Sequence, residues 1–433
     1  MSNTEQGTAP ASSRLDVMNF LNQIAGEYPA AISLAAGRPA ENFFDAARWM
    51  AQIPHYLAYF SAQRGMTQAQ GMNALAQYGN TNGIVNELIA RQIGNDDGIA
   101  CGAGQILVTA GCQEALALCV RNLCPHADDV ILVRSPAYIG ISGAAMCNRV
   151  EEVPFSCAEP GQMVAELRAT IGRCEGRGKR PRVLYLVPDF DNPTGTVLSR
   201  ALREELIALC AAHEIVVLED NPYGMFRYAG ASVEPMYALD TLGCVVYLGT
   251  YSKTLCPTLR VGYAVLPHNL FGDAAAARRL LASLSRDKSF GTLNTSQLTQ
   301  AAVGAILLSV DCSLRNHVAP VIDFYRNNCQ VMDACLTRVF AADAGAVSWN
   351  VPEGGFFMVV SLPFPFKTAQ AELCARDYGV LVMPLSFFSY GAEHDCQVRL
   401  AFSNVTPAQI AEAITRFGRF VIAHSATLEL AAA

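Results

Sequence analysis

Val245-Val246-Tyr247-Leu248-Gly249-Thr250-Tyr251-Ser252-Lys253-Thr254-Leu255-Cys256-Pro257-Thr258-Leu259-Arg260-Val261-Gly262-Tyr263 joins an apolar run to a turn crowded with reactive groups. The run Val245 to Leu248 has the continuous apolar character of a strand buried on both faces. Hydroxyls follow at Thr250 and Ser252, an amine at Lys253 and a guanidinium at Arg260. An amine can condense with an aldehyde, and hydroxyls together with a guanidinium can hold a phosphate. The competing reading is a solvated surface lysine, the ordinary state of an isolated one. The upstream sequence decides between them.

The same unit recurs before it. Ile106 to Thr109, Val130 to Val133, Val183 to Val187 and Ile215 to Leu218 are short apolar runs. Helical stretches lie among them, at Gln113 to Leu123 and Arg200 to His213. Such a pattern predicts an α/β fold with a mostly parallel sheet covered by helices. Ligands of open α/β sheets bind beyond the C-terminal ends of the strands. There the sequence has Ala110-Gly111-Cys112-Gln113, Ser135-Pro136-Ala137-Tyr138, Asp189 to Gly195 and Glu219-Asp220-Asn221-Pro222-Tyr223. These turns are expected to converge on one site.

The 433 residues suggest two domains. A large domain is expected over 85–320 and a smaller α+β domain over 321–433, with strands at Val359 to Leu362 and Val398 to Phe402. Residues 17–84 form an N-terminal segment, of which about 16–45 should pack with the smaller domain. Residues 47–77 read as a helical insert. Residues 1–16 are expected to be a disordered tail, because they carry no apolar core of a signal peptide. Hydrophobic residues make up 52 % and charged residues 16 %, as in a core-rich globular chain that can also bury surface between subunits. A net charge of −7 without a basic run gives no case for nucleic acid. The apolar stretch Ala301 to Val310 is too short to span a membrane. The 15 cysteines form no Cys-x-x-Cys and no zinc spacing, so no metal is expected. Scattered through apolar stretches, they fit small buried side chains in a reducing cytoplasm. No dinucleotide, Walker or nucleophile-elbow motif survives inspection; Gly102-Ala103-Gly104 precedes a strand instead of following one.

Each residue of the constellation has a chemical reading beside a packing one. Asp220 could cap a turn, or pair with a protonated pyridinium nitrogen and so make the ring of pyridoxal 5′-phosphate (PLP) an electron sink. Tyr223 and Asn192 could each hydrogen-bond the ring's phenolate oxygen. Tyr223 could equally be core, and Asn192-Pro193-Thr194-Gly195 an ordinary turn. Gly111-Cys112-Gln113 opens a helix after a strand, where free N–H groups attract an anion. With Thr250, Ser252 and Arg260 it would complete a phosphate cup. Tyr138 could stack on the ring. Arg399 sits inside an apolar run, and a buried guanidinium needs an anion, either a substrate α-carboxylate or an internal ion-pair partner. Gly37 would let backbone approach the same carboxylate.

These motifs, in this order, resemble a fold-type I PLP-dependent enzyme of the class I/II aminotransferase family, nearest in style to its kynurenine/α-aminoadipate aminotransferase branch. The resemblance spans about residues 17 to 420. Its most specific parts are Ser252-Lys253-Thr254-Leu255 with Arg260-x-Gly262-Tyr263, then Asp189 to Gly195 and Glu219 to Tyr223. It implies Lys253 as the Schiff-base lysine and proton shuttle, and Asp220 on the ring nitrogen. It further implies Asn192 with Tyr223 on the ring oxygen, and Arg399 on the substrate carboxylate. Tyr78 matches a tyrosine that reaches the neighbouring subunit's phosphate, which implies a homodimer with shared sites. Arg38 would stand near the substrate entrance. Cys112 takes a place often held by serine and Thr258 one often held by glycine, and the stretch before Tyr78 is longer than usual.

The expected function is transamination of an amino acid through Schiff-base and carbanion/quinonoid intermediates, in ping-pong with a keto acid. A second reading is a PLP enzyme of secondary-metabolite biosynthesis that eliminates, replaces or joins carbon on an amino-acid-derived substrate. A third is a ligand-sensing regulator on the same fold; only about 16 non-basic residues precede the family region, where such regulators carry a DNA-binding domain.

Overall fold

The computed structural model describes residues 23–157, 159–341 and 345–432, so the expected tail over 1–16 lies outside the described residues. A seven-stranded sheet organises the larger part of the chain, in the order β2-β8-β7-β6-β5-β3-β4. Its members are β2 (Ile106–Thr109), β3 (Asp129–Arg134), β4 (Glu151–Phe155), β5 (Arg180–Leu186), β6 (Val216–Asp220), β7 (Val245–Thr250) and β8 (Gly262–Val265). The pairs β3–β4, β3–β5, β5–β6 and β6–β7 are parallel. Only β8 runs against its neighbours β2 and β7. The expected mostly parallel sheet is present, with β8 as a strand that the sequence reading did not separate from the motif around Lys253.

Helices are numbered here where longer than one turn. They are α1 (Ala46–Ala62), α2 (Gln68–Ala76), α3 (Asn86–Asp97), α4 (Cys112–Leu123), α5 (Ile139–Asn148), α6 (Met163–Glu175), α7 (Arg200–Ala212), α8 (Ala274–Gly291), α9 (Gln297–Ser309), α10 (Arg315–Val339), α11 (Thr368–Tyr378) and α12 (Pro407–Ala432). The insert over 47–77 is α1 and α2, as its composition suggested. Thr67 and Gln70 form a reciprocal capping box at the start of α2. Gln297 Nε2 donates to the carbonyls of Ala74 and Leu75 at its other end, occupying acceptors that a helix terminus leaves free. Leu57 and Phe60 of α1 are buried in one cluster with Ala301, Val303 and Ile306 of α9. Each such large side chain contributes about 1.5–3 kcal/mol on burial. The apolar stretch from Ala301 is therefore a buried helix, and among the described residues no helix is long and apolar enough to cross a membrane.

The smaller unit is a four-stranded antiparallel sheet ordered β12-β13-β10-β9, from β9 (Ser348–Trp349), β10 (Phe357–Ser361), β12 (Met383–Pro384) and β13 (Gln397–Ala401). Beside it β1 (Ile32–Ser33) pairs in parallel with β11 (Val380–Leu381). This ties the N-terminal segment to the smaller unit. The division drawn at 320/321 falls inside α10, which carries the chain across without a break. All 15 cysteines are unpaired and most are buried, as their apolar surroundings suggested.

Candidate active site

The turn after β7 is built by its own backbone. Ser252 N–H donates to Thr250 Oγ1 at 3.2 Å, and Leu255 N–H to the Tyr251 carbonyl at 3.0 Å. The chain returns through Arg260, in the left-handed region at φ 49°, into β8. Because β8 lies between β2 and β7, Arg260 is laid across the end of β2. Its Nη2 donates to the Ala110 carbonyl at 3.3 Å and its Nη1 to Ser252 Oγ at 3.4 Å. Gly111 has φ +81°, and a Cβ there would lie 2.3 Å from Arg260 Nη2. Only glycine permits both the turn and the guanidinium. Gly111 is the N-cap of α4 and provides no side-chain cap, so first-turn N–H groups remain available to an anion.

Asp220 closes β6 and is buried. Tyr185 Oη donates to its Oδ2 at 2.7 Å and Cys112 Sγ to its Oδ1 at 3.2 Å. Burial raises its pKa, and the two donors oppose that by stabilising the carboxylate. Lys253 Nζ donates to the Gly37 carbonyl at 3.4 Å. Its pKa is pushed down to about 8, first by burial and then by the Arg260 and Arg399 cations, while Asp220 pulls the other way.

Arg399 enters from β13 of the smaller unit. It is 4 % exposed, yet it makes no ion pair with any acid among the described residues. Its Nη1 donates to Asn192 Oδ1 at 2.6 Å and its Nη2 to the Ala35 carbonyl at 2.6 Å, while its Nε is buried without a partner. The guanidinium lies over the rings of Phe357 and Phe388, 4.3 and 4.8 Å from their centroids. Burial lowers its pKa to about 10. The internal ion pair considered for Arg399 is thus not found among the described residues. Asn192 precedes a cis proline. Tyr223 is buried edge-on to Phe356 and Phe357, and burial raises its hydroxyl pKa while a hydrogen bond with Asn192 opposes the shift.

Lys253, Asp220, Asn192, Tyr223, Arg260 and Arg399 line one cavity of about 670 Å³. Gly37, Arg38, Cys112, Gln113, Tyr138, Thr250 and Ser252 line it too. Gln113 Nε2 donates to Tyr138 Oη at 2.7 Å. A Cβ on Gly37 would meet the Phe357 ring at 2.4 Å, so this wall approaches the smaller sheet only as glycine. Gly111 stands behind Arg260, outside the lining. Tyr78 is not among the lining residues and is 82 % exposed. The structure adds contacts that the sequence reading missed: Tyr185 on Asp220, and the rings of Phe357 and Phe388 around Arg399. A tyrosine in an apolar strand and a phenylalanine in a core carry no signal that separates such roles from packing.

An amine with a lowered pKa, a carboxylate that accepts two hydrogen bonds, a guanidinium without an acid partner among the described residues and an anion-binding turn can together bind a phosphorylated aldehyde beside an amino acid. Comparison with known proteins agrees. Residues 32–417 match the family Aminotransferase class I and II. The chain is 37 % identical to (S)-3,5-dihydroxyphenylglycine transaminase of Amycolatopsis orientalis, over 94 % of this chain and 91 % of that one. It is 29 % identical to aromatic-amino-acid aminotransferase 1 of Thermococcus litoralis, over 90 % and 88 %. The solved kynurenine aminotransferase of Pyrococcus horikoshii superposes with a TM-score of 0.80 at 27 % identity, covering 94 % of each chain. The chain belongs to the class I and II aminotransferases, and it is a PLP-dependent enzyme that transaminates an amino acid.

Proposed function

We propose that Lys253 is the residue of this class I and II aminotransferase that receives the PLP aldehyde, in a site drawn from the ends of β2, β3, β5, β6 and β7. One observation carries the reading. Lys253 and Arg399 share a cavity with Asp220, and neither cation is ion-paired to an acid of the chain among the described residues. The residues fit the cofactor. The guanidinium of Arg260 with Thr250, Ser252 and the start of α4 suits the phosphate, and the face of Tyr138 suits a ring. Asp220, hydrogen-bonded by Tyr185 and Cys112, suits the ring nitrogen, and Asn192 with Tyr223 suits the ring oxygen. Bound there, PLP supplies the electron sink that stabilises negative charge at the substrate Cα.

The chain's own groups do the rest. Arg399, with no acid partner among the described residues, suits a substrate α-carboxylate, with the backbone of Gly37 lining the same cavity. A neutral Lys253 Nζ would remove the Cα proton and return it one position away; water then supplies the oxygen of the departing keto acid, and the amino group stays with the cofactor. A second keto acid takes the amino group in the return half-reaction. Ala25, Ile32, Ile139, Leu381 and Met383 line part of the remaining wall, with Ser33, Asn404 and Gln409 as polar members and Arg38 as an added cation. The apolar part of that wall suits an aromatic side chain, in keeping with the substrates named for the two relatives, and Arg38 suits a polar or acidic group on it. Tyr78, exposed on one chain, would reach the phosphate of a neighbouring copy, so the working form is a homodimer. Unpaired cysteines suit the cytoplasm. Lys253→Ala should abolish the visible absorbance of PLP-loaded protein and the half-reaction, with the far-UV spectrum unchanged. Retention of full activity would overturn the assignment. A spectral screen of the wild type against aromatic and dicarboxylic amino acids tests the substrate class.

A further inference from the structure

Behind the phosphate-facing turn lies a charged cluster, built around a buried lysine, that the reaction does not use. Lys288, near the end of α8, has no exposed surface. Its Nζ donates to Glu114 Oε2 at 2.7 Å and to Thr292 Oγ1 at 2.9 Å, and Thr292 donates to the other oxygen of Glu114. Glu114 Oε2 also accepts the N–H of Ala110 at 2.6 Å. The carbonyl of Ala110 is the one that Arg260 Nη2 holds. Burying two charges is costly and persists only when both are fully partnered. The Ala110 N–H starts the turn from the strand side, and Gly111 beyond it is free to take many backbone conformations, so the turn has no local steric reason to keep its course. A fixed carboxylate supplies that reason. The cluster also extends forward. Two residues past Thr292, Asn294 Oδ1 accepts the N–H of Gly79 at 3.4 Å, beside Tyr78.

We propose that Glu114, locked by Lys288 and Thr292, is a positioning residue for the cofactor phosphate. It holds the turn over 110–112 so that Arg260 and the first N–H groups of α4 face the phosphate together, and it registers that turn against the segment bearing Tyr78. The inference rests on the cofactor site described above. Glu114 touches neither substrate nor cofactor in this scheme.

The test uses two probes, PLP and pyridoxal, which lacks the phosphate. In Glu114→Gln the PLP dissociation constant should rise roughly tenfold or more, the scale of a lost charged hydrogen bond. Pyridoxal binding should change less than about twofold if only the phosphate end is disturbed. Lys288→Met should behave alike, and the double variant should be no worse than the poorer single one, because the two groups act as a unit. The gap in melting temperature between PLP-loaded and PLP-free protein should shrink in each. Equal weakening of PLP and pyridoxal, or an unchanged PLP affinity and melting gap, would show a merely structural cluster. Should Glu114→Gln fail to fold, Lys288→Met is read the same way. A wild type that binds pyridoxal as tightly as PLP would instead remove the phosphate site itself, and this inference with it.

Discussion

Lys253 lies in a buried cavity between the guanidinium groups of Arg260 and Arg399, and both circumstances disfavour its ammonium form. Its pKa falls from 10.5 to about 8. In the cofactor-free protein the neutral amine is therefore available near neutral pH, as a nucleophile toward an aldehyde requires. The rate of PLP capture should rise with pH to a plateau with a midpoint near 8; stopped-flow absorbance measures it, and a midpoint near 10.5 would mean a solvated amine. The stability linkage has the matching sign. Between about 8 and 10.5 the folded state binds fewer protons at this site than the unfolded chain, so this lysine's contribution to stability increases as pH rises through that window. Asp220 and Arg399 stood out in the sequence as charges at the end or middle of an apolar run, and Lys253 as an amine among hydroxyls and a guanidinium. Tyr185 did not, because its ring satisfies the same strand pattern whether or not its hydroxyl has a task.

The elements that carry the site are strand ends held by buried polar groups. The turn bearing Asn192 hangs on Arg203 of α7, which is fully buried. Its donors reach the carbonyls of Leu198, Pro188 and Glu234, and it pairs with Asp189 at 2.8 Å. Arg203→Ala leaves Asp189 buried with Arg227 as a more distant partner at 3.6 Å, and should cost about 3–5 kcal/mol by urea denaturation. A loss below about 1 kcal/mol would mean that the turn is held by other contacts. The strands β2, β3, β5, β6 and β7 were readable as continuous apolar runs. Two others were not. β4 pairs only with β3, at the sheet edge, and its Glu151, Glu152 and Pro154 are residues that an edge tolerates and a central strand does not. β8 is four residues long and begins with glycine, so its sequence gives no period to recognise.

At the scale of the molecule, Tyr78, Phe290 and Leu298 are exposed at 82, 87 and 57 % on the single chain. Burying them against a second copy would account for some of the high apolar content and would bring Tyr78 to the neighbouring phosphate. Complementation tests this. Lys253→Ala and Tyr78→Ala homodimers should each be impaired, but reassorted as a mixture they should recover about a quarter of wild-type activity, because half the dimers are hybrid and each hybrid has one intact site. No recovery, with subunit exchange verified, would place Tyr78 outside any shared site. The local pattern of the sequence was enough to determine the α/β class, the turns that line the cavity and the lysine among hydroxyls and a guanidinium, since each depends on neighbours a few residues apart. Only the tertiary structure decided that β8 enters between β2 and β7, which lays Arg260 against Gly111. It alone decided, too, that Arg399 meets Asn192, 207 residues away, without an acid among the described residues to neutralise it. Those contacts arise from the packing of distant segments, where chain-closure entropy is repaid by burial and no short-range signal is left to read.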